Sequence, residues 1–145
     1  MSGFISREAD YAIRIVAYLA GKKGKTKISE ICEKLYLTKP IVIKIIHKLN
    51  KCNIVETLTG KNGGVTLIKD ISELSIYEIL TCIGLNSSFN ICVDKPEICK
   101  LNPICNITTF FKTIQDNIIH NLKSAKIKDF IFDDDQLNII KLNNR

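Results

Sequence analysis

The stretch TKPIVIKIIHKLNKCNIVETLTGKNGGVTLIK, residues 38–69, decides the fold. Its first half sets Val42, Ile45, Ile46 and Leu49 at helical spacing, with Thr38 as N-cap and Pro40 in the first turn, where a missing N–H costs little. Ile43, Lys44, His47, Lys48 and Lys51 are left nearer the opposite face. The second half is two β-prone runs around TGKNGG, whose glycines permit the positive φ of a tight connection, and it predicts a β-hairpin. Just upstream, ISEICEKLYL predicts a short helix capped by Ser29, with Ile31, Cys32 and Leu35 facing inward. Two short helices separated by about three residues, the second basic on its outer face, predict a helix-turn-helix, and the hairpin after it is a wing.

Working outward, SREADYAIRIVAYLA (6–20) places Ala9, Ala12, Ile13, Val16, Ala17 and Ala20 on one helical face, and GKKGKTK (21–27) reads as a basic loop. Ser75 and Glu78 have the spacing of a capping box before a helix that runs to about Gly84. From residue 104 the pattern is helical again, with Ile107, Phe110, Phe111, Ile114, Ile118 and Leu122 in a long stripe. No later helix is evident to cover that stripe, which predicts a dimerisation helix; packing back on its own chain is the alternative. The tail adds at most a short helix with a polar, fraying end. The expected class is mainly α with a small β-hairpin wing: a winged helix-turn-helix over 1–84, a cysteine loop over 85–106, and a dimerisation helix and tail over 107–145.

A chain of 145 residues is long enough to bury a core as one domain. It has no apolar run of membrane-spanning length, and Glu8 and Asp10 precede any apolar run, so neither a membrane span nor a signal peptide is expected and the cytoplasm is. The charge is uneven. Residues 1–70 carry 13 Lys/Arg against 6 Asp/Glu, and residues 71–145 carry 8 against 9. A polyanion partner for the first half explains this, as does a lysine-coated solvated surface.

The six cysteines divide by context. Cys32, Cys52 and Cys82 sit in or beside apolar helical patterns and read as core residues. Cys92, Cys99 and Cys105 lie in ICVDKPEICKLNPIC (91–105), among charged residues and two prolines, where no apolar periodicity accounts for them. Their spacing lacks the close pair usual in structural zinc sites. Soft thiolates on a loop suit an iron–sulfur cluster, which normally takes four ligands, so the fourth has to come from elsewhere. Three thiols suit a sensor better than a strut.

ISREADYAIR at the start, the helix-turn-helix with TGKNGG in its wing, and three loop cysteines before a long helix together resemble the Rrf-two family of bacterial transcription regulators, in its cluster-binding branch of IscR, NsrR and RirA types. The resemblance covers residues 4–125 and implies a homodimer with a crossed long helix and a cluster at each subunit boundary. The IscR type takes a histidine three residues after the last cysteine, where this chain has Thr108. The NsrR type uses an aspartate from the first helix of the other subunit, which falls on Asp10, with Glu8 as the neighbouring carboxylate. That implies a 4Fe–4S cluster on Cys92, Cys99, Cys105 and Asp10 ahead of a 2Fe–2S one. The positions that read the operator in the IscR type fall on Pro40, Ile43 and Thr59; Ile43 can touch thymine methyls. Lys61, beside Asn62 at the wing tip, suits a narrow minor groove, and Lys39, Lys44, His47 and Lys48 suit phosphates.

These readings converge on a regulator of double-stranded DNA, a repressor whose cluster reports iron status, nitric oxide or redox stress. No Ser/His/Asp grouping or P-loop suggests an enzyme. The rivals are a cluster-free thiol-switch regulator and a small iron–sulfur electron carrier, the latter having no use for a basic winged helix.

Overall fold

The helix-turn-helix forms where the apolar spacing puts it. In the computed structural model, described over residues 4–143, α1 (Arg7–Ala20), α2 (Ile28–Leu35) and α3 (Lys39–Lys51) precede a two-stranded antiparallel hairpin, β1 (Val55–Leu58) and β2 (Gly64–Leu67). Then come α4 (Ile76–Ile83), the short α5 (Ile91–Asp94), the long α6 (Asn106–Ser124) and α7 (Asp134–Asn143). The outermost residues of the expected segments, 1–3 and 144–145, lie outside the described residues.

Helix α1 starts because the Ser6 hydroxyl accepts from the Ala9 N–H, satisfying one of the donors a helix start leaves free. Its buried face is wider than the small-residue stripe: Ile15, Tyr18 and Leu19 are buried with Ala9, Ala12, Val16 and Ala17, while Ile13 and Ala20 sit at the margin. The expected Ser29 cap of α2 is not the one used. The N-cap is Lys27 without a side-chain bond, and Ser29 lies exposed in the first turn. The cause is upstream: Thr26 is buried and exchanges both backbone hydrogen bonds with Val65, so the extended chain ends one residue before the helix begins. The basic loop therefore contributes a third strand residue to the wing. Helix α2 ends at Tyr36 in the left-handed region, and Thr38 caps α3 by position, without a side-chain hydrogen bond.

The wing pairs Val55 with Leu67 and Leu58 with Gly64. At its turn Gly60 takes φ +97°, and a Cβ on Gly63 would stand 2.2 Å from the Leu58 carbonyl oxygen, so that position accepts no side chain without rebuilding the turn. The Ser75 hydroxyl accepts from the Glu78 N–H, which is half of the expected capping box. The other half is absent because the Glu78 carboxylate pairs with Lys69 instead.

Val42, Ile45, Ile46 and Leu49 of α3 pack with Ile31, Ile54, Val65, Ile79 and Leu80 in one core. The chain after α6 returns to it. The Ile76 N–H donates to Ala125, the Ile127 N–H donates to Leu74, and the Ile127 side chain is fully buried. Helix α7 then lies beside α2 and the loop that follows α1, with Leu137 buried and the ion pairs Lys22–Asp134 and Lys141–Glu33. The tail is thus a docked helix, and it covers α2 rather than α6. No residue of α6 is buried; Ile107 and Phe110 are 64% and 60% exposed.

Candidate DNA interface and cysteine loop

Packing four apolar residues of α3 inward leaves its opposite face to solvent. Thr38, Lys39, Pro40, Ile43, Lys44 and His47 are exposed, Lys48 is half-buried, and Ile43 shows 46% of its surface. Thr59, Lys61 and Asn62 form the exposed tip of the wing. Between the wing and the starts of α2 and α3 lies an open cleft of about 380 Å³, bordered by Lys27, Ser29, Lys39 and Lys61. Cations on the walls of one groove suit a polyanion backbone.

Two of the lysines are already engaged. Glu8 of α1 places Oε2 at 2.9 Å from Lys44 Nζ and Oε1 at 2.5 Å from Lys48 Nζ. The two lysines, one turn apart on α3, form a fork around one carboxylate. Their hydrogen bonds, that to Lys48 first, hold the Glu8 carboxyl below its ordinary range against the opposing effect of burial. Glu8 is therefore committed to α3 rather than free beside Asp10. Nothing in the local sequence signals this, because the partners lie 36 and 40 residues away. Asp10 pairs with Arg14 at 2.9 Å along its own helix and keeps 45% of its side chain exposed.

Cys92, Cys99 and Cys105 are free, half-buried thiols in the loop between α4 and α6. Cys92 lies in α5, whose N-cap Asn90 accepts from the Cys92 N–H. Cys99 follows a 3₁₀ turn begun by Pro96, and Cys105 is the N-cap of α6 after a second turn containing Pro103. Hydrogen bonds from the Thr108 and then the Ile107 backbone N–H lower the pKa of the Cys105 thiol, as expected at a helix start. Three thiols, one tuned toward thiolate, are a donor set that fits a soft iron–sulfur centre. Within one protomer they do not converge: among the described residues no three His, Cys, Asp or Glu side chains come together as a metal-holding group.

Two of the other three cysteines depart from expectation. Cys32 packs half-buried against the core, but Cys52 and Cys82 form a disulfide, Cα to Cα 6.1 Å, from the C-cap of α3 to α4. Both follow apolar stretches, which is why they read as core residues. Cys52 in fact lies just past the end of α3, where the chain turns outward and the side chain is exposed.

A helix-turn-helix with a basic second helix, followed by a hairpin wing, is the architecture of a winged-helix DNA-binding regulator. Residues 5–133 match the Rrf2 family, described as iron-dependent transcriptional regulators, and the chain belongs to that family. It is 26% identical over 131 residues to the HTH-type transcriptional regulator NsrR of Shouchella clausii, covering 88% of each chain. It is 29% identical over 108 residues to NsrR of Bacillus subtilis, covering 71% of this chain and 73% of that one. Among solved structures, T. potens IscR shares the fold with a TM-score of 0.68 at 18% identity, over 86% of this chain and 83% of that one. CymR, the global cysteine regulator of B. subtilis, does so with a TM-score of 0.69 at 21% identity, over 86% and 93%. The protein is an Rrf2-family DNA-binding transcription regulator, and no helix among the described residues is long and apolar enough to cross a membrane.

Proposed function

We propose that this regulator is a homodimeric repressor that carries an iron–sulfur cluster on Cys92, Cys99 and Cys105, with the partner subunit's Asp10 as fourth ligand. The carrying observation is three free thiols on a proline-broken loop, the last at the N-cap of α6 with its pKa lowered by backbone donors. A cluster in that loop, 4Fe–4S in preference to 2Fe–2S, supplies sensitivity to iron supply, nitric oxide or oxidants. The resemblance to NsrR proteins supports this reading.

The chain's own residues supply the rest. On α6 the exposed Ile107 and Phe110, beside Phe111, Ile114 and Ile118 that are half-buried against their own chain, offer a second copy an apolar face. Lys39, Lys44 and Lys48 neutralise phosphates, His47 contacts the backbone beside them, and together they set the register of α3 in the major groove, with Thr38 and Pro40 at its entering end. Ile43 reads thymine methyls, and Lys61, with Thr59 and Asn62, follows the wing into the minor groove. Residues 1–84 form the DNA-binding part, 85–106 the sensing loop, and α6 the joint between copies.

Anaerobic purification with iron and sulfide analysis tests the cluster. Serine at Cys92, Cys99 or Cys105 is expected to abolish visible absorbance, whereas Cys32→Ser leaves it. Full cluster content in Cys99→Ser refutes the assignment. A cluster-free regulator acting through loop thiols is the second reading, supported by the same three free, half-buried thiols. Protein without iron or sulfide that still changes its DNA affinity on oxidation of the loop selects it.

A further inference from the structure

The loop cysteines leave a separate thiol pair unexplained. Cys52 stands exposed at the C-cap of α3 and Cys82 half-buried on α4, and their Cα separation of 6.1 Å lies inside the range of about 4.4 to 6.8 Å that a disulfide spans. The bridge closes residues 53–81, a segment that contains both wing strands. It therefore ties the end of α3 and the base of the wing to α4. Helix α4 packs on α1 as well as on α3, and α1 carries the Glu8 carboxylate that holds Lys44 and Lys48.

The Cys82 sulfur also lies against the end of α3. Cys82 Sγ lies 3.3 Å from the Lys48 carbonyl oxygen, in the last turn of α3, and only a thiol has a proton to donate there. The structure holds the covalent tie, and a Cys82 thiol left at this place by reduction would have the Lys48 carbonyl oxygen as its acceptor. An exposed Cys52 gives an oxidant access to the first sulfur.

We propose that Cys52 and Cys82 are a reversible redox-modification site, distinct from the cysteine loop, whose disulfide holds α3 in the arrangement where Glu8 occupies Lys44 and Lys48. The oxidant is a low-molecular-weight disulfide. The Cys52 thiolate attacks one of its sulfurs, forming a mixed disulfide and expelling one thiolate. The Cys82 thiolate then attacks the Cys52 sulfur and expels the second. Two protein thiols lose two electrons and two protons, and one small disulfide becomes two thiols. Formation of the bridge requires no DNA; its effect on binding rests on α3 being the DNA-reading helix.

The test treats full-length protein, purified without oxygen, with oxidised or reduced glutathione and maps disulfides by mass spectrometry. A Cys52–Cys82 peptide link is expected with the oxidised form and is lost with the reduced form. The cross-link should raise the thermal midpoint by at least about 5 °C, because it constrains the unfolded chain. Nonspecific duplex affinity should fall at least about threefold with a shallower salt dependence, because Lys44 and Lys48 stay paired. Cys52→Ser and Cys82→Ser should show neither change. Failure to form the link overturns the site; a link that leaves affinity unchanged, or an equal response in Cys52→Ser, overturns the coupling. If no form bound DNA while the link formed, the DNA-reading role of α3 has failed and the coupling with it, and the redox site stands.

Discussion

Glu8 is where a single-atom change tests how α3 is held. Glu8→Gln keeps the shape of the side chain and removes the charge that faces Lys44 and Lys48 at 2.9 and 2.5 Å. Lys44 is 62% exposed and Lys48 35%, so each pair belongs to the solvent-screened class worth about 0.2 to 1 kcal/mol. Taken together and discounted for exposure, they hold the lysines by about 1 kcal/mol, roughly a factor of five in equilibrium. If α3 reads DNA as proposed, the duplex has to displace Glu8 to reach both ammonium groups. Glu8→Gln should therefore bind nonspecific duplex about fivefold more tightly at low salt. It should also steepen the log–log salt dependence by up to about one unit, since no freed carboxylate gathers cations on binding. Stability moves the other way. Because the folded-state pKa of Glu8 is lowered, its contribution is present above the ordinary value of 4.5 and is lost as pH falls through the folded value. Wild type should exceed Glu8→Gln in thermal midpoint at neutral pH and converge with it in acid. The assay is fluorescence anisotropy with a labelled duplex across a salt series, with melting curves across pH. Unchanged affinity and slope in Glu8→Gln, in a background where Lys44→Ala weakens binding, would refute the competition.

Lys44→Ala and Lys48→Ala should each weaken binding to every sequence and lower the salt slope by about one per lost phosphate contact, whereas Ile43→Ala should alter preference among operators, as read by competition binding. Phe110→Asp on α6 should convert the proposed dimer to monomers in sedimentation with little change in helicity, because the Phe110 side chain is 60% exposed on its own chain. Gly63→Ala should cost about 1 to 3 kcal/mol by denaturant unfolding, because its Cβ would overlap the Leu58 carbonyl and the wing turn would have to be rebuilt.

What the sequence determined by itself was local. Apolar spacing of 3.6 and of 2 residues, a glycine-rich turn and a proline in a first turn are properties of neighbouring positions, and they place α1, α3, the wing and α6 within a residue or two. The same locality made the exposed face of α3 and the polar setting of Cys92, Cys99 and Cys105 legible. Tertiary structure decided what depends on partners far along the chain. Thr26 pairs with Val65 and so moves the start of α2 past the serine that would otherwise cap it. Leu137 and the Lys22–Asp134 pair dock the tail on the first helices. Cys52 meets Cys82 across 30 residues, and Glu8 meets two lysines across 36 and 40. Periodicity reports which face of an element is apolar; it carries no distance between elements, and ion pairs and disulfides are set by those distances.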